Sequence, residues 1–209
     1  MRIIQTLSYK GADYLMKQMN GSHESRRIYY FGFQVVIGAI IKGLLLILLA
    51  GITRTILPSL IIVGVFVVLR QIAGGYHMKT FGKCIAVSLG VFIAAALISK
   101  YTYPFWNRIS ILIFVILTFI VSLICLLKWA PSDNPNRPIT KQEEIDKFKR
   151  LSVLFIILWL LASLTAVYFK LNMYTLSGCF GVILEVFTVT PLGHKFFGSL
   201  EREIDRVRK

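Results

Sequence analysis

The sequence predicts an all-α polytopic membrane protein, with six transmembrane helices preceded by an N-terminal amphipathic interfacial helix. Three observations lead there. The 209 residues are 56% hydrophobic and only 16% charged, against roughly a quarter charged in a soluble fold. The apolar residues fall in runs of membrane-crossing length, with a mean hydropathy of +0.70 over the chain. The Lys and Arg responsible for a formal charge of +14 cluster between those runs. Such a charge on a soluble surface would suggest nucleic acid; interleaved with apolar runs it excludes nucleic acid and makes the lipid bilayer the partner. The hydrophobicity excludes disorder, and three Cys in the whole chain exclude a disulfide scaffold. The first 30 residues lack a continuous apolar core, so no cleavable signal peptide is expected.

A helix needs about 20 apolar residues to cross the hydrocarbon layer. Apolar segments lie near 32–52, 55–69, 84–103, 109–127, 151–169 and 172–192, which predicts one integral membrane domain over 1–209. The fourth and fifth are the clearest, since 109–127 and 151–169 contain no charge. The second is short, with 14 residues between Ile56 and Leu69, and the third has 16 between Cys84 and Ser99. At about 1.5 Å per residue neither reaches across unless polar ends are drawn in. No internal repeat is visible.

Lys and Arg set the orientation. The N-terminal region, the 70–83 connection, the 128–150 connection and the tail together hold 19 of them, and the other three connections hold four. Lys42 lies inside a span. By the positive-inside rule both termini and the 70–83 connection face the cytoplasm, which also requires an even number of crossings.

Residues 1–30 read as an interfacial amphipathic helix: Ile3, Leu7 and Tyr14 share a face with Ile4, Gly11 and Leu15, while Lys10, Asp13 and Lys17 lie elsewhere. Residues 128–150 read as a polar loop leading into a short helix. Tyr101, Tyr103, Trp106 and Trp129 sit near span ends, as an aromatic belt would.

The connection at 70–84 (RQIAGGYHMKTFGKC) is the chemically informative one. It places His77 near Cys84 among three Gly and three basic residues, with no Asp or Glu. Cysteine nucleophiles act as thiolates, which nearby cations such as Lys79 and Lys83 and a helix N-terminus favour. His77 can serve as general base and then as the acid that protonates a leaving amine. Seven residues of straight helix would hold the two side chains about 10 Å apart, so the chain must bend between them. Gly82, Thr80 and the pair Gly74–Gly75 permit that. The short second and third spans would leave this segment recessed, in a small polar vestibule open to the cytoplasm. The group that orients His77 is either Gln71, a backbone carbonyl or a residue from elsewhere in the fold.

The run Arg70…Gly75-Tyr76-His77…Lys79…Cys84, with two spans before it and four after, resembles the accessory gene regulator B (AgrB) family. These are membrane cysteine endopeptidases of Gram-positive peptide quorum sensing. The resemblance implies that His77 and Cys84 are the catalytic pair, that Arg70 and Gly75 are further motif positions supporting the site with Lys79, and that no cofactor is needed. It implies a precursor peptide as substrate, with an amphipathic leader, a Cys-containing core and an acidic tail. Cys84 would release the tail and hold the core as a thioester, which the precursor's own Cys would convert to a thiolactone. A bacterial cell-membrane location and a homodimer are also implied. For the oxyanion, backbone N–H groups at the start of the third span, around Cys84, are expected.

Outside that motif, Glu185 lies in the sixth span, where a carboxylate can pair with Lys42 or with Arg70. A small transporter using Glu185 and Lys42 as a charge relay is the rival reading. Cys125 and Cys179 read as packing residues, and His23 and His194 as solvated ones. No His/Cys set has the spacing of a metal site. Gln34 and Ser163 suit interhelical hydrogen bonds. Gly32–Gly38 and Gly178–Gly181 suit close helix contact.

Overall fold

The structure is a computed structural model and describes residues 2–19, 23–78, 80–132 and 141–207. Its regular elements are α1 (Arg2–Met19), α2 (His23–Ile52), α3 (Ile56–Ala73), α4 (Phe81–Thr102), α5 (Arg108–Trp129), α6 (Gln142–Tyr168), α7 (Asn172–Val189) and α8 (Pro191–Val207), with one 3-10 turn at Tyr103–Phe105. Among the described residues there is no strand, and six helices, α2 to α7, are long and apolar enough to cross a membrane.

α7 is the axis of the bundle. Some 61% of its apolar stretch is buried, against 17–28% in the other five, whose outer faces carry exposed Val, Ile and Leu suited to lipid. Two cores flank it. One joins Leu69 and Ala73 of α3, Ile111 and Val115 of α5, Ile156 and Trp159 of α6, and Cys179, Val182 and Val186 of α7. The other joins Leu46 of α2, Ile62 of α3, and Leu89, Phe92 and Ala96 of α4. Helices in lipid associate through close packing of small residues rather than by expelling water. Gly181 shows this: a Cβ there would lie 2.8 Å from the Ile62 carbonyl oxygen and 2.9 Å from Val65 Cβ. Gly178 faces Trp159, whereas Gly32 adjoins open space and Gly38 meets only the Phe81 ring.

Contacts sort the connections into two ends. Lys100 donates to the Thr53 carbonyl (3.2 Å) and Asn172 to the Trp106 carbonyl (3.1 Å), which gathers the sparsely basic connections at one end. At the other, Gly74 pairs with Ser132 and Tyr76 with Thr188. Arg54 and Lys170, in the hairpins α2–α3 and α6–α7, adopt the left-handed conformation (φ 55° and 59°). The next N–H then reaches back five residues, Thr55 to Ala50 (2.7 Å) and Leu171 to Ala166 (2.9 Å), closing each helix.

Four boundaries differ from the sequence expectation. Residues 1–30 are not one helix: α1 ends at Met19, and α2 begins at His23 and runs without a break into the first span. α1 folds back on it, with Asp13 paired to Arg26 (2.5 Å) and Arg26 over the Tyr9 ring (4.5 Å). The stretch before the fifth span is no separate helix but the opening turns of α6, where Glu143 and Glu144 suit the positive end of the helix dipole. The third span starts at Phe81, so Cys84 sits within its first turn. The sixth stops at Val189; Thr190 caps a new helix by accepting from the Gly193 N–H (3.1 Å), and Pro191 begins it. Gln34 also differs, since it donates to Tyr30 one turn back in its own helix (2.9 Å) rather than across helices.

Two substitutions check this packing. Gly181→Leu should force α7 off α3 and lower stability by about 1–3 kcal/mol, seen as an earlier thermal transition in detergent. Lys170→Gly should relieve the left-handed residue and raise stability by about 1 kcal/mol; an unchanged midpoint would contradict the strained turn.

Candidate functional site

α3 ends at Gly74, whose φ of 76° a side chain would not favour and whose N–H caps the Arg70 carbonyl (3.2 Å). A Cβ on Gly74 would collide with the Ser132 carbonyl. Gly75 continues at φ 119°, and a Cβ there would fall on the Arg70 guanidinium and the Thr188 hydroxyl. Residues 75–78 are irregular, and the chain bends as the His77–Cys84 spacing requires before α4 begins.

Arg70 joins the parts. Its Nη1 donates to Thr188 Oγ1 (2.6 Å) and lies 3.5 Å from Glu185 Oε2; its Nη2 donates to the Tyr76 carbonyl. Glu185 is fully buried, and its Oε2 accepts a further bond from Thr188 (3.3 Å). The intramembrane carboxylate is therefore paired with Arg70, not with Lys42. Lys42 instead lies over the Phe92 ring (5.7 Å), within electrostatic range of Cys84 and Arg70.

His77 Nδ1 is 2.9 Å from the Gly75 carbonyl oxygen and 3.2 Å from Arg70 Nη2. The Gly75 contact is the shorter and Arg70 Nη2 already donates to the Tyr76 carbonyl, which assigns the hydrogen to Nδ1, donating to Gly75. The lone pair is then on Nε2, the tautomer a base requires. Of the orienting groups expected, this is the backbone carbonyl; Gln71 lines the cavity without bonding to the ring. Burial first, then the Arg70 charge, holds the imidazole below its usual value of 6.5, partly offset by the Gly75 bond.

His77, Cys84, Arg70 and Lys42 line one cavity of about 270 Å³. Its remaining walls include Phe66, Val91, Phe92, Leu184 and Phe197. Apolar side chains of α3, α4, α7 and α8 thus make up much of the cavity lining. No hydrogen bond joins His77 to Cys84. The Cys84 N–H is bonded to the Thr80 carbonyl (3.1 Å), so it is not a free oxyanion donor. Lys79 and the His23 side chain lie outside the described residues. Cys179 is buried in the core on α7, and Cys125 of α5 packs partly buried against that core. His194 is not simply solvated: its Nε2 is 3.2 Å from Ser132 Oγ and its ring meets Tyr76 edge-on (5.5 Å).

Sequence reasoning missed Tyr76, Thr188, Glu201 and Phe197. Tyr76 stacks on Phe197 of α8 (5.8 Å) and donates to Glu201 Oε2 (2.9 Å). The signal for α8 was present in Thr190-Pro191 followed by Leu192, Phe196, Leu200 and Ile204 at helical spacing.

A six-span helical bundle with a thiol, an imidazole and two cations lining one recess defines a polytopic membrane protein with a polar pocket. The chain belongs to the accessory gene regulator B (AgrB) family, whose profile matches residues 8–189, and so to accessory gene regulation, the agr quorum-sensing system. It is 24% identical over 212 residues to AgrB-like protein 2 of Clostridium perfringens, covering 95% of this chain and 97% of that one. With accessory gene regulator protein B of Staphylococcus intermedius it shares 28% over 179 residues, or 85% and 89% of the two chains. No solved structure matches it.

The His77 shift has a definite sign. With the folded pKa below 6.5, this residue's contribution to stability is complete above about pH 6.5 and is lost as pH falls through the folded value, because the unfolded chain protonates first. An NMR titration in detergent should place the His77 midpoint below 6.5; a midpoint above it would contradict the burial and the Arg70 contact.

Proposed function

We propose that the protein is a membrane cysteine endopeptidase that removes the C-terminal tail of a quorum-sensing peptide precursor and promotes thiolactone formation. The observation that carries this is His77, its Nδ1 2.9 Å from the Gly75 carbonyl oxygen, lining one cavity with Cys84. The Cys84 proton passes to His77 Nε2, and the sulfur attacks the carbonyl at the end of the core. The tetrahedral oxyanion takes hydrogen bonds from N–H groups of the first turn of α4. His77 then gives its proton to the leaving nitrogen, and the tail departs with a new amino terminus. The core remains as a thioester on Cys84.

The precursor's own thiol next attacks that thioester and closes the ring. Its proton returns through His77 to the Cys84 sulfur, so the enzyme is regenerated. This exchange swaps one thioester for another and is close to isoenergetic. Making the first thioester from an amide is uphill, so flux needs product removal and exclusion of water from the intermediate. The apolar wall of the cavity suits that exclusion. The excess of Lys and Arg at the end bearing the cavity supports a cytoplasmic-facing site with both termini inside, in a bacterial cell membrane. The same charge suits an acidic tail, and the bilayer surface suits an amphipathic leader. A homodimer is part of this reading.

The test uses vesicles containing the full chain and the precursor encoded beside it. Cys84→Ala and His77→Ala should abolish cleavage with expression retained, and hydroxylamine should release a core peptide from the wild-type intermediate at Cys84. Cleavage by Cys84→Ala at the wild-type rate would end the proposal. A charge relay would instead leave Cys84→Ala silent and make Glu185→Gln the damaging change.

A further inference from the structure

His77 stands in an irregular connection and Cys84 in the first turn of α4, so their separation depends on what holds those two backbones. The residue before each points to the same place. Tyr76 Oη donates to Glu201 Oε2 (2.9 Å), and Lys83 Nζ lies 3.6 Å from Glu201 Oε1. One carboxylate therefore meets both ends of the segment, a different oxygen at each. Lys83 also pairs with Asp205 (2.7 Å), one turn further along α8. This is no surface pair: the Lys83 and Glu201 side chains are 7% and 5% exposed.

α8 is itself held in place. The Thr190 cap fixes its first turn, and a Cβ on Gly193 would land on the Phe187 carbonyl, so the corner with α7 is tight. The Tyr76 ring lies between Phe197 and His194. Burial first, then the Glu201 carboxylate, holds the phenol above its usual pKa, so it stays a donor. α8 follows the residues matched by the family profile, which end at 189.

We propose that Glu201 is a positioning residue: a carboxylate of the C-terminal helix that sets the approach of His77 to Cys84 by clamping Tyr76 and Lys83. The clamp rests on the reading of His77 and Cys84 as a working pair. It touches no reacting atom, and acts by fixing the residue that precedes each.

The test needs no precursor. Full-length protein in phosphatidylethanolamine–phosphatidylglycerol vesicles is alkylated with iodoacetamide, and the rate at Cys84 is followed by peptide mass spectrometry across pH. A thiol paired with His77 gives the wild-type profile a low-pH limb that His77→Ala removes. Glu201→Ala should erase that limb and slow alkylation near neutral pH by about tenfold. Glu201→Gln, whose single carbonyl oxygen accepts from one of the two donors while its NH2 meets the other, should restore only part of it. Should Glu201→Ala fail to fold, Tyr76→Phe keeps the ring stack and loses only the phenolic hydrogen bond, and its profile decides. A limb intact in either folded variant overturns the clamp alone. A wild-type profile unchanged by His77→Ala overturns the pair, and the clamp with it.

Discussion

The ion pair between Arg70 and Glu185 governs the arrangement around it. A carboxylate with no exposure, on the most enclosed helix of a membrane bundle, is expensive unless a cation meets it. Arg70 does so from the end of α3, and the planar guanidinium has donors to spare. Those donors take the Thr188 hydroxyl and the Tyr76 carbonyl. Thus the contact that neutralises α7 also fixes where the chain leaves α3. Gly75 is demanded by the same contact, because any side chain there would occupy the space of the guanidinium and of Thr188. Gly75 is thus both a turn, at φ 119°, and a clearance.

Burial first, and then the position of Arg70, account for the state of His77. A cation beside the ring discourages a second positive charge, and the Gly75 carbonyl decides which nitrogen keeps the hydrogen. Both effects come from backbone geometry set by the ion pair. The imidazole therefore needs no acidic partner of its own, which fits a connection without Asp or Glu. Lys42 completes the electrostatics from the opposite wall: placed near Cys84 and Arg70, it gives the cavity a positive character that two helices share.

Much of this was legible in the residues. Hydropathy marks the spans because lipid tolerates few alternatives to an apolar helix, and the distribution of Lys and Arg separates the connections into the two groups that the contacts at each end of the bundle also separate. Cys84 and His77 stand in one short stretch of the sequence, and the structure brings both to one cavity. The partner of Glu185 was not, since Lys42 and Arg70 are both basic residues near the same depth and only the packing of α3 on α7 chooses between them. α8 was obscured by its charge: Glu201, Arg202, Glu203, Asp205 and Arg206 resemble a solvated tail, although Leu192, Phe196, Leu200 and Ile204 carry a helical period. The starts of the first and fifth spans were misplaced because polar helix formers carry α2 back to His23 and α6 back to Gln142, past the apolar boundary.

The contacts around the cavity join residues very far apart in the chain. Arg70 reaches Thr188 across 118 positions and Tyr76 reaches Glu201 across 125. During synthesis the thiol and the imidazole enter the membrane long before their supports exist. α3 and α4 can cross the bilayer as a hairpin, but Arg70 then has no carboxylate and Tyr76 no partner. The pocket is consequently a late product of assembly, closed only when the last two helices dock. Until that moment the nascent protein carries Cys84 and His77 without the contacts that surround them in the finished bundle.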